Sequence, residues 1–161
     1  LDSKPGSGTT ITLKLPLTLA IIEGLLVEVA DRYYVFPISL VRECVALTAR
    51  DRKNAHNRRI ARVRNELVPY IDLRELFFLE QEHGDHDRQI VVTETGGRRV
   101  GFVVDAVVGE HQTVIKNLGN LYRNVEGISG ATILGDGTLA LILDVPKLTL
   151  WGEREETALF R

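Results

Sequence analysis

Methionine is absent from this sequence, and cysteine and tryptophan occur once each. With Cys44 alone, no internal disulfide can form and no cysteine-rich zinc site can be built, which points to a reducing cytoplasm. Neither charge dominates: 20 Lys and Arg stand against 22 Asp and Glu, so no global field draws the chain to nucleic acid or to a membrane surface. No long apolar run exists either. The densest stretch, Leu15 to Val29, is interrupted by Pro16, Glu23, Gly24 and Glu28, whereas a bilayer-spanning helix needs about 20 apolar residues. What is present is ordinary for a folded protein: 161 residues, 44% apolar and 26% charged, enough for one domain or two very small ones. A leading Leu1 and the missing methionine predict a piece of a longer chain, and no secretory signal precedes the first strand-like run.

The apolar pattern is dominated by period two. Ile11, Leu13, Leu15, Leu17 and Leu19 alternate with polar residues, a strand signal that Pro16 ends or confines to an edge. Leu25 to Ala30 and Tyr33 to Phe36 flank Asp31-Arg32 and predict a hairpin, after which Pro37 turns the chain. Leu40 to Leu47 is another strand-like run, and residues 49 to 58 predict a loop or a short exposed helix. Ile60 to Val63 and Leu67 to Ile71 form a second hairpin around Asn65-Glu66. Asp72 is placed to cap a two-turn helix over Leu73 to Leu79. Ile90 to Thr93 and Val100 to Val104 bracket Thr95-Gly96-Gly97-Arg98, and Ala106 to Val108 and Thr113 to Ile115 follow. Ala131 to Leu134 and Thr138 to Leu143 bracket Gly135-Asp136-Gly137, whose glycines accept positive φ. Asp144 is placed to cap a last short helix, Val145 to Leu150, before a polar tail. Short strands with tight turns predict a mostly β chain: a small barrel or sandwich, or two small barrels in series.

Candidate chemistry is sparse. Gly6-Ser7-Gly8-Thr9-Thr10 could cradle a phosphate with its amides, but it lacks the lysine of a Walker loop and precedes a strand, so a plain turn is favoured. His83-Gly84-Asp85-His86-Asp87 offers metal-ligating groups without supporting partners. It predicts a solvated, metal-free loop over residues 80 to 88. Residues 50 to 64 carry seven Lys or Arg against one Asp, without the interleaved aromatics of a nucleic-acid groove. A basic outer strand face that discourages edge pairing fits better. Cys44, in an apolar run without a nearby histidine, predicts a small buried hydrophobe. Asp105 and Asp144 each follow an apolar strand and predict helix caps. No catalytic residue and no metal ligand set emerges.

Three segments carry a resemblance. Gly8-Thr-Thr-Ile-Thr-Leu-Lys-Leu-Pro-Leu-Thr-Leu-Ala-Ile21 is similar to the junction in chemotaxis histidine kinases of the CheA family, where the last strand of the ATP-binding domain enters the regulatory domain. Arg64-Asn-Glu-Leu-Val-Pro-Tyr-Ile-Asp-Leu-Arg-Glu-Leu76 also fits, with Asn65 where glycine is usual. The segments Gln112 to Gly119 and Val125 to Asp144 resemble that regulatory domain most specifically. The resemblance implies a CheW-like fold of two intertwined SH3-like five-stranded β-barrels with short helices, one from each half with some exchange of strands. It divides the chain into a kinase remnant and linker (1–17), a CheW-like regulatory domain (18–151) and a polar tail (152–161). It implies docking of the adaptor CheW and of chemoreceptor tips, no nucleic acid, no membrane insertion and a cytoplasmic location. ATP and magnesium serve the full-length kinase, a homodimer through domains absent here. Only the nucleotide-lobe turn Gly6, Gly8 and Thr9 remains, so this piece is expected to bind no nucleotide and catalyse nothing. The alternatives are a fragment retaining nucleotide affinity, or a stand-alone CheW-type adaptor, which residues 1 to 21 argue against.

Parity suggests where such a module docks. Leu25, Val27 and Val29 share one strand face and Leu26, Glu28 and Ala30 the other, and Glu28 marks the second as outward because burying an unpaired carboxylate is costly. Val35 falls on the same side as Leu26. The expected protein interface is therefore Leu26 and Val35, beside Pro37 and with neighbouring Leu25.

Overall fold

The computed structural model describes residues 2–13, 21–54, 58–80, 86–116 and 125–159. Among the described residues, a short hairpin, β1 (Asp2–Lys4) and β2 (Gly8–Thr10), pairs only with itself. Ile11 and Leu13, expected to continue a strand, are exposed and outside any element, and residues 14–20 lie outside the described residues. The body of the chain then runs through β3 (Ile21–Val29), β4 (Arg32–Pro37), a 3₁₀ turn (Ile38–Leu40), β5 (Val41–Leu47), α1 (Ala49–Asn54), β6 (Ile60–Val63), β7 (Glu66–Asp72) and α2 (Leu73–Leu76). It continues through β8 (Arg88–Thr95), β9 (Arg98–Val104), β10 (Ala106–Val114), β11 (Ile128–Ile133), β12 (Leu139–Leu143) and α3 (Val145–Leu159).

These strands make two five-stranded sheets, ordered β10-β3-β4-β12-β11 and β5-β8-β9-β7-β6. The two halves do not each fold into one barrel. The first barrel takes the hairpin β3–β4 from the first half and three strands from the second, and the second barrel does the reverse. The reason lies in the strands that follow each hairpin. β5 leaves β4 to pair with β8, and β10 leaves β9 to pair with β3, so the exchange is reciprocal. Each barrel also contains one parallel pair, β4 with β12 and β9 with β7.

The hairpin strands β3, β4, β8 and β9 have both faces covered. Leu26, Val35, Ala140 and Ile142 fill the interior of the first barrel. Leu47, Val63, Val68, Ile90, Val92 and Val103 fill the second. The largest cluster lies in the seam between the barrels and includes Leu25, Val27, Tyr34, Phe36, Val100, Phe102, Leu143 and Leu148. There Phe36 and Phe102 pack with ring centroids 5.5 Å apart. This corrects the expected docking surface. Leu26 and Val35 do share a face, but they are 3% and 0% exposed, and Leu25 is buried on the seam side. The alternation predicts one dry side and hence an outward face, whereas this sheet is dry on both.

Turn placement also differs. The β3–β4 turn is Ala30-Asp31, both left-handed at φ 50° and 58°, one residue earlier than expected. Its register keeps the predicted parity because two residues of slip restore the face. The β6–β7 turn is likewise Arg64-Asn65. α1 is a one-and-a-half-turn helix, started where Thr48 and Asp51 exchange hydrogen bonds as a capping box. α3 is longer than expected and runs through the predicted polar tail to Leu159, capped by Asp144.

Candidate docking site

The second barrel builds a cavity where its β7–β9 face meets the helices. β7 ends at Asp72, whose carboxylate accepts the Arg74 N–H at 2.9 Å and starts α2. α2 lasts only one turn, against an expected two. Leu79 N–H donates to the Arg74 carbonyl at 2.8 Å and Phe78 N–H to that of Glu75, a helix stop that places Phe78 at φ 52°. Glycine is the usual residue at such a stop. Phe78 is thereby turned into solvent at 90% exposure, while Phe77 stacks on Tyr34 across the seam. α3 closes the other side. A Cβ on Gly152 would lie 2.3 Å from Ile71 Cδ1, so only glycine lets the helix cross β7 this closely.

Between these elements lies a cavity of about 540 Å³ with an apolar lining that includes Pro69, Ile71, Leu76, Phe78 and Val100. Ion pairs stand at its rim, Arg59 with Glu75 and Arg98 with Glu153. Pro69 continues the lining onto the outer face of β6–β7, where Arg62 faces Leu67 and Ile60 faces Pro69. Leu67 is 72% exposed. An apolar concavity joined to exposed Phe and Leu side chains is the surface expected of a contact site.

Beneath the cavity the barrels are tied by four charged groups. Asp105 accepts from Arg74 Nη2 at 2.6 Å and Nε at 3.0 Å, and from Arg88 Nε at 3.2 Å. Arg88 also pairs bidentately with Asp72, and Arg74 donates to the Glu80 carbonyl at 2.6 Å. Asp105 further accepts the Ala30 N–H at 2.7 Å, reaching the first barrel. Burial alone would raise the Asp105 pKa. Hydrogen bonds from Arg74 and Ala30, with the charges of Arg74 and Arg88, outweigh that and hold it below the usual aspartate value. Asp105 therefore caps no helix, contrary to expectation, and serves as an ionic node instead.

The other sequence candidates are scattered. Gly6, Gly8 and Thr9 sit on the exposed β1–β2 hairpin, with open space around both glycines. His83, Gly84 and Asp85 lie outside the described residues, and His86 and Asp87 are exposed. Among the described residues, no three His, Cys, Asp or Glu converge on a metal position. The basic segment is partly neutralised: Arg59 pairs with Glu75 and Arg64 with Glu43. Cys44 is exposed, not buried, because on β5 Val45 and Leu47 take the inward positions. Burial of its vicinity and Glu43 still raise the thiol pKa. Pro37 is half-buried at the end of β4. Phe78 and Leu67 were missed. The doublet Phe77-Phe78 held the signal, since adjacent helical side chains point about 100° apart and the second falls at the end of the apolar stripe.

Residues 23–151 match the CheW-like domain family. The chain belongs to that family. This CheW-like domain is 43% identical over 150 residues to the chemotaxis protein CheA of Salmonella typhimurium, covering 92% of this chain and 22% of the relative. It is 38% identical over 146 residues to the sensor histidine kinase CheAY of Helicobacter pylori, covering 90% and 18%. The chain thus spans about a fifth of the length of the curated relatives it matches. Among solved structures, the scaffolding protein TtCheW from Thermoanaerobacter tengcongensis superposes with a TM-score of 0.62 at 20% identity, over 76% of this chain and 88% of that one. The shared fold is the CheW-like pair of barrels. No helix among the described residues is long and apolar enough to cross a membrane.

Proposed function

We propose that this CheW-like domain is the regulatory module of a cytoplasmic chemotaxis histidine kinase, docking a CheW-type adaptor and chemoreceptor tips so that receptor state controls autophosphorylation. The observation that carries the reading is that relatives matched across nine-tenths of the chain are CheA and CheAY proteins. The cavity and its exposed Phe78 and Leu67 support it, because they supply an anchor-and-pocket surface suited to a protein partner. On this reading the phosphorylated histidine, the dimerisation helices, ATP and magnesium belong to the rest of the kinase. The hairpin carrying Gly6, Gly8 and Thr9 adds no nucleotide site, since it offers amides without a base pocket.

Calorimetry with a purified CheW-type adaptor tests the reading. Binding is expected, and Leu67→Asp or Phe78→Asp should weaken it by about 2 kcal/mol, roughly 30-fold, with the circular dichroism unchanged. A folded wild-type chain that binds no adaptor would refute the proposal. Heat released on titrating ATP and magnesium into the chain would instead favour a nucleotide-binding fragment.

A further inference from the structure

We propose that the cluster of Asp72, Arg74, Arg88 and Asp105 is a relay that makes the β3–β4 turn of the first barrel respond to what occupies the cavity on the second. The proposal rests on the reading of that cavity as a docking surface. One end of the relay belongs to the cavity: Asp72 lines it and starts α2. Arg74 spans the exposed Phe78 segment, because its own carbonyl holds Leu79 and its guanidinium holds the Glu80 carbonyl. A partner that displaces Phe78 therefore pulls on Arg74. The middle of the relay is Asp105, which takes both guanidinium groups. Two positive and two negative groups leave no net charge to expel, so a shift redistributes hydrogen bonds among them and keeps the cluster paired.

The other end is a strained turn. Ala30 and Asp31 both sit in the left-handed region, where non-glycine residues are unfavourable. The equivalent turn of the second barrel uses Gly96-Gly97, which adopt that conformation freely. The Asp105 carboxylate, 75 residues away in sequence, binds the Ala30 N–H and so helps to hold the strained form. The structure holds the bonded arrangement, and the relay adds a released one in which the turn sheds that strain, with the single node Asp105 biasing the two as energetic coupling between sites requires.

Hydrogen exchange at the residue-30 amide, read by NMR alongside calorimetry, tests the relay. In the wild type, saturating CheW-type adaptor is expected to change that exchange rate about fivefold or more, the lower end of typical coupling. In Asp105→Asn and Arg74→Lys the change should fall below about twofold of the free rate, with the adaptor still bound. Should both variants fail to fold, Phe78→Gly in the free chain gives a second readout, since it relaxes the segment that Arg74 spans and should change the residue-30 exchange rate. Adaptor binding that leaves the wild-type amide unchanged overturns the relay. If calorimetry shows no binding, the docking reading fails by itself, and Phe78→Gly then probes the relay without a partner. An unchanged residue-30 amide in that variant overturns it too.

Discussion

The two barrels are the same device assembled with opposite choices. Positions 66 apart correspond throughout the hairpins: the pairing of Leu26 with Val35 matches that of Val92 with Gly101, and both exchanged strands carry a bulge at matching places, Val41/Glu43 and Val107/Gly109. Within that common plan the sizes are inverted. In the first barrel Gly24 lies under Val35, and in the second Ile90 lies over Gly101. The first barrel is joined edge to edge by a bridge between Lys116 and Ala131, whereas β5 and β6 form the outer strands of the second sheet. The first holds a strained turn with a long-range carboxylate, and the second uses two glycines. One barrel is tied down by distant contacts. The other makes its hairpin turn from local glycines and turns Leu67, Phe78 and the cavity toward solvent.

The largest expected effect tests whether both faces of each sheet are dry. Leu26→Asp should cost about 4 kcal/mol or more, because it removes a buried side chain and buries an unpaired carboxylate. Val92→Asp, at the matching position of the second barrel, should cost as much. Leu67→Asp should leave stability within about 0.5 kcal/mol, as exposed substitutions do. Urea unfolding of the three variants checks this, and a Leu26→Asp chain with normal stability would mean that the first barrel is open on that side.

Next comes the joint between the barrels. Asp105→Asn should cost about 2–3 kcal/mol at neutral pH, somewhat under the figure for breaking a fully buried pair because the carboxylate keeps some exposure. The folded pKa of Asp105 is depressed, so its contribution is present above the unfolded aspartate value of about 4 and is lost as pH falls through the folded value. Wild-type stability should therefore fall on acidification in that window, and the fall should be shallower in Asp105→Asn. Equal acid slopes for the two proteins would remove Asp105 from the balance.

Much of this was legible in the sequence, for reasons tied to range. Period two placed nearly every strand, and Asp72 and Asp144 marked the helix starts, because those signals are local. Parity placed Leu26 and Val35 together correctly. It could not say that β12 would close the barrel over one face and that the second barrel would cover the other, since both depend on residues far away in sequence. Asp105 was misjudged for the same reason: its partners Ala30, Arg74 and Arg88 come from three separate elements. The turns slipped by one because Ala30 and Arg64 adopt left-handed φ, which no local propensity favours. The cavity depends on Phe78 ending a helix where glycine is expected, a choice visible only once the chain is folded.

The inverted sizes give a sharper, smaller test. Gly24→Ala would place its Cβ 2.2 Å from Val35 Cγ1, and Gly101→Ala would place its own 2.5 Å from Ile90 Cγ2. Each should cost about 1–3 kcal/mol by overpacking. Shortening the facing residue, Val35→Ala or Ile90→Ala, should recover part of that loss within its own barrel and none in the other. A double-mutant cycle measures the recovery, and equal recovery across barrels would refute the pairing.

The smallest effect concerns the turns, where the two barrels differ by backbone conformation alone. Ala30 at φ 50° carries a penalty that glycine does not, while glycine adds entropy to the unfolded chain. The first term is the larger at a left-handed position, so Ala30→Gly should stabilise the chain by about 0.5–1 kcal/mol. Gly97→Ala, at φ 79°, should destabilise it by a similar amount, and nothing lies within 4 Å to complicate the comparison with a clash. Asp105 adds a condition. Its bond to the Ala30 N–H holds the strained form, so its loss in the wild type is partly offset by release of that strain: Asp105→Asn should cost more in the Ala30→Gly background than in the wild type, and the same in the Gly97→Ala background. Thermal unfolding of the four single and double variants gives the cycle. A zero coupling between positions 30 and 105 would show that the carboxylate serves the arginines alone and that the two turns differ only in composition.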